Sequence, residues 1–210
     1  MKKKRNTFII AILFCLLCSQ LVSAIASDVI FYSNDYFTND SSHANNIAYY
    51  FATNGHSVNV ASRPLIPYAM NTNLQYRSTL YISTHGTAQG STLKLDSNTY
   101  FNETNLTTQI GCDFIFYSAC YSAQNNTATG NNLCSKSISN GASTVLGYSD
   151  SVLVSKSRFF ETKFYERALS YNDIVYTSYI TAKALFAAQY GTTDTVYTSV
   201  SMFGNGGLYL

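Results

Sequence analysis

The sequence predicts an α/β protein in three layers: a mostly parallel sheet of about six strands with helices on both faces. Three observations carry that expectation. Short apolar runs alternate with longer segments of helical spacing, the pattern of strand–helix–strand units. The run DFIFYSA (113–119) is apolar or aromatic at four consecutive positions, as expected of a strand covered on both sides. About 184 residues follow a short basic and apolar leader, enough for one sizeable core.

Residues 28–33 (DVIFYS) read as the first buried strand. Ser41 and Ser42 can cap a helix that runs to about Thr53, where Gly55 ends it. Residues 57–62 (SVNVAS) alternate and form the second strand. Pro64 and Pro67 predict an irregular stretch over 63–73. The third strand is 79–84 (TLYIST). In 90–101, Leu93 and Leu95 precede the turn residues Asp96-Ser97-Asn98, and Tyr100 and Phe101 follow them, which predicts a small hairpin. The fourth strand is 113–119, followed by a helix over 127–140 despite Gly130. Residues 144–148 are the fifth strand. Residues 157–169 and 172–189 are helical, the first with Phe159, Phe160, Phe164, Tyr165, Ala168 and Leu169 near helical spacing. Residues 195–203 are expected to close the sheet as a sixth, edge strand.

Residues 1–26 carry the marks of a signal peptide. Lys2, Lys3, Lys4 and Arg5 form a basic head, 8–17 is almost wholly apolar, and Ala24-Ile25-Ala26 gives a small-x-small cleavage pattern. The expected organisation is therefore a leader over 1–26 and a single domain over 27–210, secreted once the leader is removed. The leader holds four of the 13 basic residues and none of the 11 acidic ones, which leaves the mature chain at net −2. That balance argues against a nucleic-acid partner and against a membrane for the mature chain. Three cysteines remain, Cys112, Cys120 and Cys134. An odd count leaves at least one thiol free or paired between chains. If one disulfide forms, Cys112–Cys134 is the pairing that leaves Cys120 reactive.

Ligands of open parallel sheets bind beyond the carboxyl ends of the strands. His85 follows the third strand and Cys120 the fourth, so an imidazole and a thiol are expected at neighbouring strand ends. A thiol must become a thiolate to attack a carbonyl, and a nearby imidazole can take its proton. Gly86 follows the histidine and allows close backbone approach. Its N–H and that of Cys120 could bind a tetrahedral oxyanion. The chemistry expected is acyl transfer by a Cys–His pair, most simply peptide hydrolysis.

The order His then Cys, the motifs HG and SACYSA with a hairpin between them, then GASTVLGYSD and FYERALS, resemble the caspase-like cysteine peptidases (clan CD). Among these the pattern is most similar to the CHAT, gingipain and clostripain types. The resemblance covers 79–188 and implies a caspase-like fold, His85 as general base, Cys120 as nucleophile and Gly86 with Cys120 as oxyanion site. The caspase pattern Q-A-C-x-G is not met, and the chain has no Trp where CHAT-type chains carry one. The segment after the fifth strand lines the S1 pocket in this family. Here it contains Asp150 and Ser149, which with Ser118 would favour an Arg or Lys side chain before the scissile bond.

Duller roles exist for each residue. A lone Cys at a strand end is usually packing, and a lone His there is a satisfied turn residue. His43 and His56 have no ligating neighbours at metal spacing, so no metal site and no cofactor are expected. The expected partner is a peptide or protein substrate. The competing function is a caspase-like domain that binds without turnover. A sortase-like transferase would need a β-barrel, which the parallel patterning excludes.

Overall fold

The computed structural model describes residues 28–32, 40–62, 67–88, 91–95 and 98–210. The leader, Ser33 at the end of the first expected strand, the Pro64 turn and the hairpin tip at 96–97 lie outside the described residues. In chain order the strands are β1 (Asp28–Tyr32), β2 (Val58–Ser62), β3 (Thr79–Ser83), β4 (Gly86–Thr87), β5 (Thr92–Lys94), β6 (Tyr100–Phe101), β7 (Phe114–Ser118), β8 (Thr144–Tyr148) and β9 (Val200–Gly204). The helices are α1 (Asp40–Thr53), α2 (Pro67–Tyr76), α3 (Leu133–Ser139), α4 (Val154–Tyr165), α5 (Val175–Tyr190) and α6 (Thr195–Ser199). A π-helical turn, Glu166–Ser170, continues α4.

Six strands form the main sheet in the order β2-β1-β3-β7-β8-β9. All neighbours are parallel except β9, which runs antiparallel to β8 at the edge. Successive side chains on a strand point to opposite faces, and here the two faces bury different chemistry. Leu80, Ile82, Ile115, Tyr117 and Val145 pack against Met70 and Leu74 of α2, Leu133 and Cys134 of α3, and Leu93 and Phe101 of the small hairpin. Tyr81, Phe114, Phe116, Leu146 and Tyr148 pack on the other side against α1, α4 and α5. That second layer is dense in rings: Phe114 stacks on Phe164 at 5.6 Å between centroids, and Phe116 meets Tyr148 at 5.9 Å. Each fully buried aromatic contributes on the order of 2 kcal/mol by area. The fold is the three-layer α/β sandwich that the alternation predicts.

Four local departures have physical causes. The stretch expected to be irregular over 63–73 becomes α2 from Pro67 onward, because proline at a helix's first position gives up an N–H that has no helical partner anyway. The helix expected from residue 127 starts only at Leu133. Asn126 accepts the Ala128 N–H at 2.9 Å and Gly130 turns at φ 70°, so a tight turn precedes it. Asn132 then caps the helix, its side chain accepting the Ser135 N–H at 2.8 Å. The run 195–203 splits: Asp194 accepts the Val196 N–H at 3.0 Å and starts α6, and only the remainder pairs as β9. Finally, β4 joins the expected hairpin to make a three-stranded antiparallel sheet with β5 and β6.

Candidate active site

The β3–β7 register pairs Ser83 with Ser118. His85 and Cys120 each lie two residues beyond that pair, on strands that neighbours in a sheet hold ~4.8 Å apart. The structure brings them to one cleft beyond the strand ends. Ser118 and Val152 line it as well, and Ser157 and Arg158 of α4 complete the wall.

Hydrogen bonds fix the histidine segment on both sides. The Thr84 N–H donates to the Ser118 carbonyl at 3.2 Å, and the Lys94 N–H donates to the His85 carbonyl at 2.8 Å. The His85 ring is half-buried. Burial, and after it the Lys94 charge, disfavours the imidazolium and holds its pKa below 6.5. A neutral imidazole at pH 7 can accept a proton.

Gly86 is where the two strand ends touch. A Cβ built there would fall 1.5 Å from the Cys120 carbonyl oxygen and 2.6 Å from its carbonyl carbon. No side chain fits, so only a glycine lets the backbone come this close to the Cys120 peptide. Gly86 pairs with Leu93, while the Lys94 N–H bonds the residue before it, His85. Gly86–Leu93 is thus a non-hydrogen-bonded pair, and the Gly86 N–H points away from β5.

Cys120 sits on a turn built to present it. Tyr121 has φ 61°, a left-handed conformation that costs a bulky residue ~1–2 kcal/mol. Its N–H donates to the Asp150 carbonyl at 3.2 Å, and Ala123 donates to Tyr148 at 2.9 Å, so the loop is stitched to the end of β8. Ser122, wholly buried, donates to the Tyr117 carbonyl at 2.9 Å and accepts the Tyr148 N–H at 3.0 Å. The Cys120 sulfur lies 3.4 Å from the Val152 backbone nitrogen and 3.7 Å from the Val152 carbonyl oxygen, so the Val152 backbone holds it in place. No disulfide joins any two of Cys112, Cys120 and Cys134. Cys112 and Cys134 do not pair with each other: their sulfurs rest on the Asn73 and Ser122 carbonyls, each at 3.6 Å. Burial raises the Cys134 thiol pKa far out of range, which suits a packing role.

The three residues expected to shape S1 part company. Ser118 lines the cleft, with its hydroxyl donating to Glu161 at 2.6 Å. Asp150 is exposed and its carboxylate accepts the Ser151 N–H at 2.6 Å. Ser149 turns toward α6 and donates to the Ser199 carbonyl at 3.2 Å. Neither Asp150 nor Ser149 stands in the cleft wall; the charge that does is Arg158.

Two residues that sequence patterning passed over meet beneath the cleft. Glu161 is wholly buried on α4 and accepts four hydrogen bonds: from His43 Nε2 at 2.8 Å, Tyr81 at 2.6 Å, Ser118 at 2.6 Å and Tyr148 at 3.0 Å. Burial alone would raise its pKa. Hydrogen bonding and charge from His43, then the Ser118 and Tyr81 hydroxyls, outweigh that and hold the carboxyl ionised, below 4.5. Burial and the Glu161 charge raise the Tyr81 and Tyr148 phenols well above 10.0, so both remain donors. The signal in the sequence was a lone carboxylate on the apolar stripe of a helix, next to Phe160 and four residues before Tyr165. Among the described residues no group of three His, Cys, Asp or Glu side chains could hold a metal ion.

No protein-family model matches the chain, and no curated protein matches it in sequence. In structure it is similar to the Arg-specific cysteine proteinase gingipain R (RGPB), with a TM-score of 0.69 at 14% identity, over 88% of this chain and 48% of that one. The chain spans about half the length of that proteinase. At this identity the likeness bears on architecture alone: the chain shares the three-layer α/β fold of that structure.

Proposed function

We propose that the chain is a cysteine peptidase that cleaves peptide bonds through a thioester acyl-enzyme. The observation that supports this reading is the close approach of Gly86 to the Cys120 peptide beside a cleft that His85 and the half-buried Cys120 both line. His85 takes the proton from Cys120, and the thiolate attacks the substrate carbonyl carbon. The N–H groups of Gly86 and Cys120 receive the oxyanion of the tetrahedral intermediate. As the C–N bond breaks, His85 returns the proton to the leaving amine. Water, deprotonated by His85, then attacks the thioester and releases the acid, restoring the thiol.

Three finer readings go with this one. The motif order favours the CHAT, gingipain and clostripain types, and residues 1–26 favour export before the enzyme acts on peptide or protein substrates. A basic P1 residue is the third; it requires Asp150 to leave Ser151 and turn toward the cleft, with Ser149 and Ser118 beside it. Reporter peptides ending in Arg, Lys or Asp test it. Preference for Asp would make Arg158 the reading charge instead.

The deciding experiment for the activity is labelling. A peptidyl acyloxymethyl ketone should modify Cys120, read by mass spectrometry, and the label should vanish in Cys120→Ala and His85→Ala. Folded wild-type protein that neither takes the label nor cleaves a peptide library would overturn the peptidase reading in favour of a binding module.

A further inference from the structure

Glu161 gathers side chains from four separate elements. His43 comes from α1, Tyr81 from β3, Ser118 from β7 and Tyr148 from β8. Each of the three strands then delivers one part of the cleft. His85 stands four residues beyond Tyr81, Cys120 two beyond Ser118, and Val152, which touches the cysteine sulfur, four beyond Tyr148. Ser118 is the tightest link. Its hydroxyl is held by Glu161, its carbonyl accepts the Thr84 N–H beside His85, and it lies in the cleft wall itself.

A buried charge is a poor way to stabilise a layer otherwise made of Phe116, Phe160 and Phe164. An apolar side chain of the same size would pack there without dehydrating a carboxylate. What a carboxylate does, and an apolar group cannot, is draw several donors to one point with fixed directions.

We propose that Glu161 is a positioning residue for the Cys120–His85 pair: acting through Ser118, and through Tyr81 and Tyr148, it fixes the ends of β3, β7 and β8 against one another. The proposal rests on the peptidase reading. The Glu161 carboxylate itself makes no contact with reacting atoms; its effect reaches the thiol through the Ser118–Cys120 turn.

The test uses the full chain and the variants Glu161→Gln, Ser118→Ala and Ser118→Thr. Two quantities are read: the iodoacetamide alkylation rate of Cys120 from about pH 5 to 9, followed on its own tryptic peptide, and kcat and KM on a reporter peptide. Displacement of the turn should slow alkylation at pH 7 and lower kcat by about tenfold or more in the first two variants. KM should change far less, and Ser118→Thr, which keeps the hydroxyl, should recover most of the loss. A role in stability alone would lower Tm and leave the alkylation profile and kcat in place. Folded Ser118→Ala within about twofold of wild type on both readouts overturns the proposal, and this variant decides the matter if Glu161→Gln does not fold. A shifted alkylation profile in a chain without turnover would remove the peptidase reading and keep the positioning role. Normal turnover with unshifted variants would do the reverse.

Discussion

Replacing Gly86 by alanine is the sharpest perturbation the geometry offers. The new Cβ would stand 1.5 Å from the Cys120 carbonyl oxygen, whereas ordinary Cβ contact begins at 3.4 Å. The neighbouring atoms are backbone, so no rotamer change relieves the clash. The HG segment and the Cys120 turn must separate by about 1.9 Å. Overpacking of this kind costs ~1–3 kcal/mol of stability. The functional loss should be larger in proportion. A shift of ~1 Å between reacting groups costs on the order of 10²-fold, and a displaced oxyanion donor costs ~10²–10³-fold. The expected result is a folded variant with a modest fall in urea midpoint and a kcat/KM reduced at least a hundredfold. Initial rates on a reporter peptide and urea unfolding followed by tyrosine fluorescence read both. A Gly86→Ala protein with kcat/KM within about threefold of wild type would refute the close stack and the mechanism built on it.

Three further outcomes follow from the same geometry. With His85 as the proposed base, its lowered pKa should put the acidic limb of the kcat/KM profile below pH 6.5, and Lys94→Gln should move that limb upward; movement downward contradicts the assignment. Glu161 has its pKa lowered in the fold, so its contribution to stability is complete above about pH 4.5 and is lost as pH falls through the folded value. Glu161→Gln should therefore be less stable by about 3 kcal/mol at pH 7 and show a shallower loss in acid, measured as urea midpoint against pH. At φ 61°, Tyr121→Val, with its β-branched side chain, should be less stable than Tyr121→Asn by ~1–2 kcal/mol; equal stabilities would remove the claim of backbone strain.

The sequence made the layers and the strand ends legible because both rest on local patterns. Runs such as FIFYS can be satisfied only in a doubly covered strand, and HG and SAC are printed directly after such runs. What it hid was long-range. Glu161 lies on α4 among the aromatic residues that mark a core helix, and its four donors come from positions 43, 81, 118 and 148, separations no periodicity reveals. The role of His43 was hidden for the same reason: its partner is 118 residues away. Asp150 shows the converse. Its distance from the fifth strand was right for a pocket, but proximity in chain says nothing about direction, and the adjacent Ser151 N–H claims the carboxylate.

The two faces of the sheet also explain why the cleft can be assembled from loops without being loose. A one-residue slip of β3 against β7 would carry Tyr81 into the layer holding Leu80 and Ile82, and send an aliphatic chain into the ring-dense layer. The phenol would then leave Glu161 and take one of four donors from a buried charge, so the penalty for slippage is electrostatic as well as steric. Register is thus held at Tyr81, two residues from Ser83, and again at Ser118, and the two strands can leave the sheet only from that matched pair. His85 and Cys120 inherit their alignment from the core. The geometry at the strand ends and the identity of the buried layer beneath them are, in this chain, one structural property.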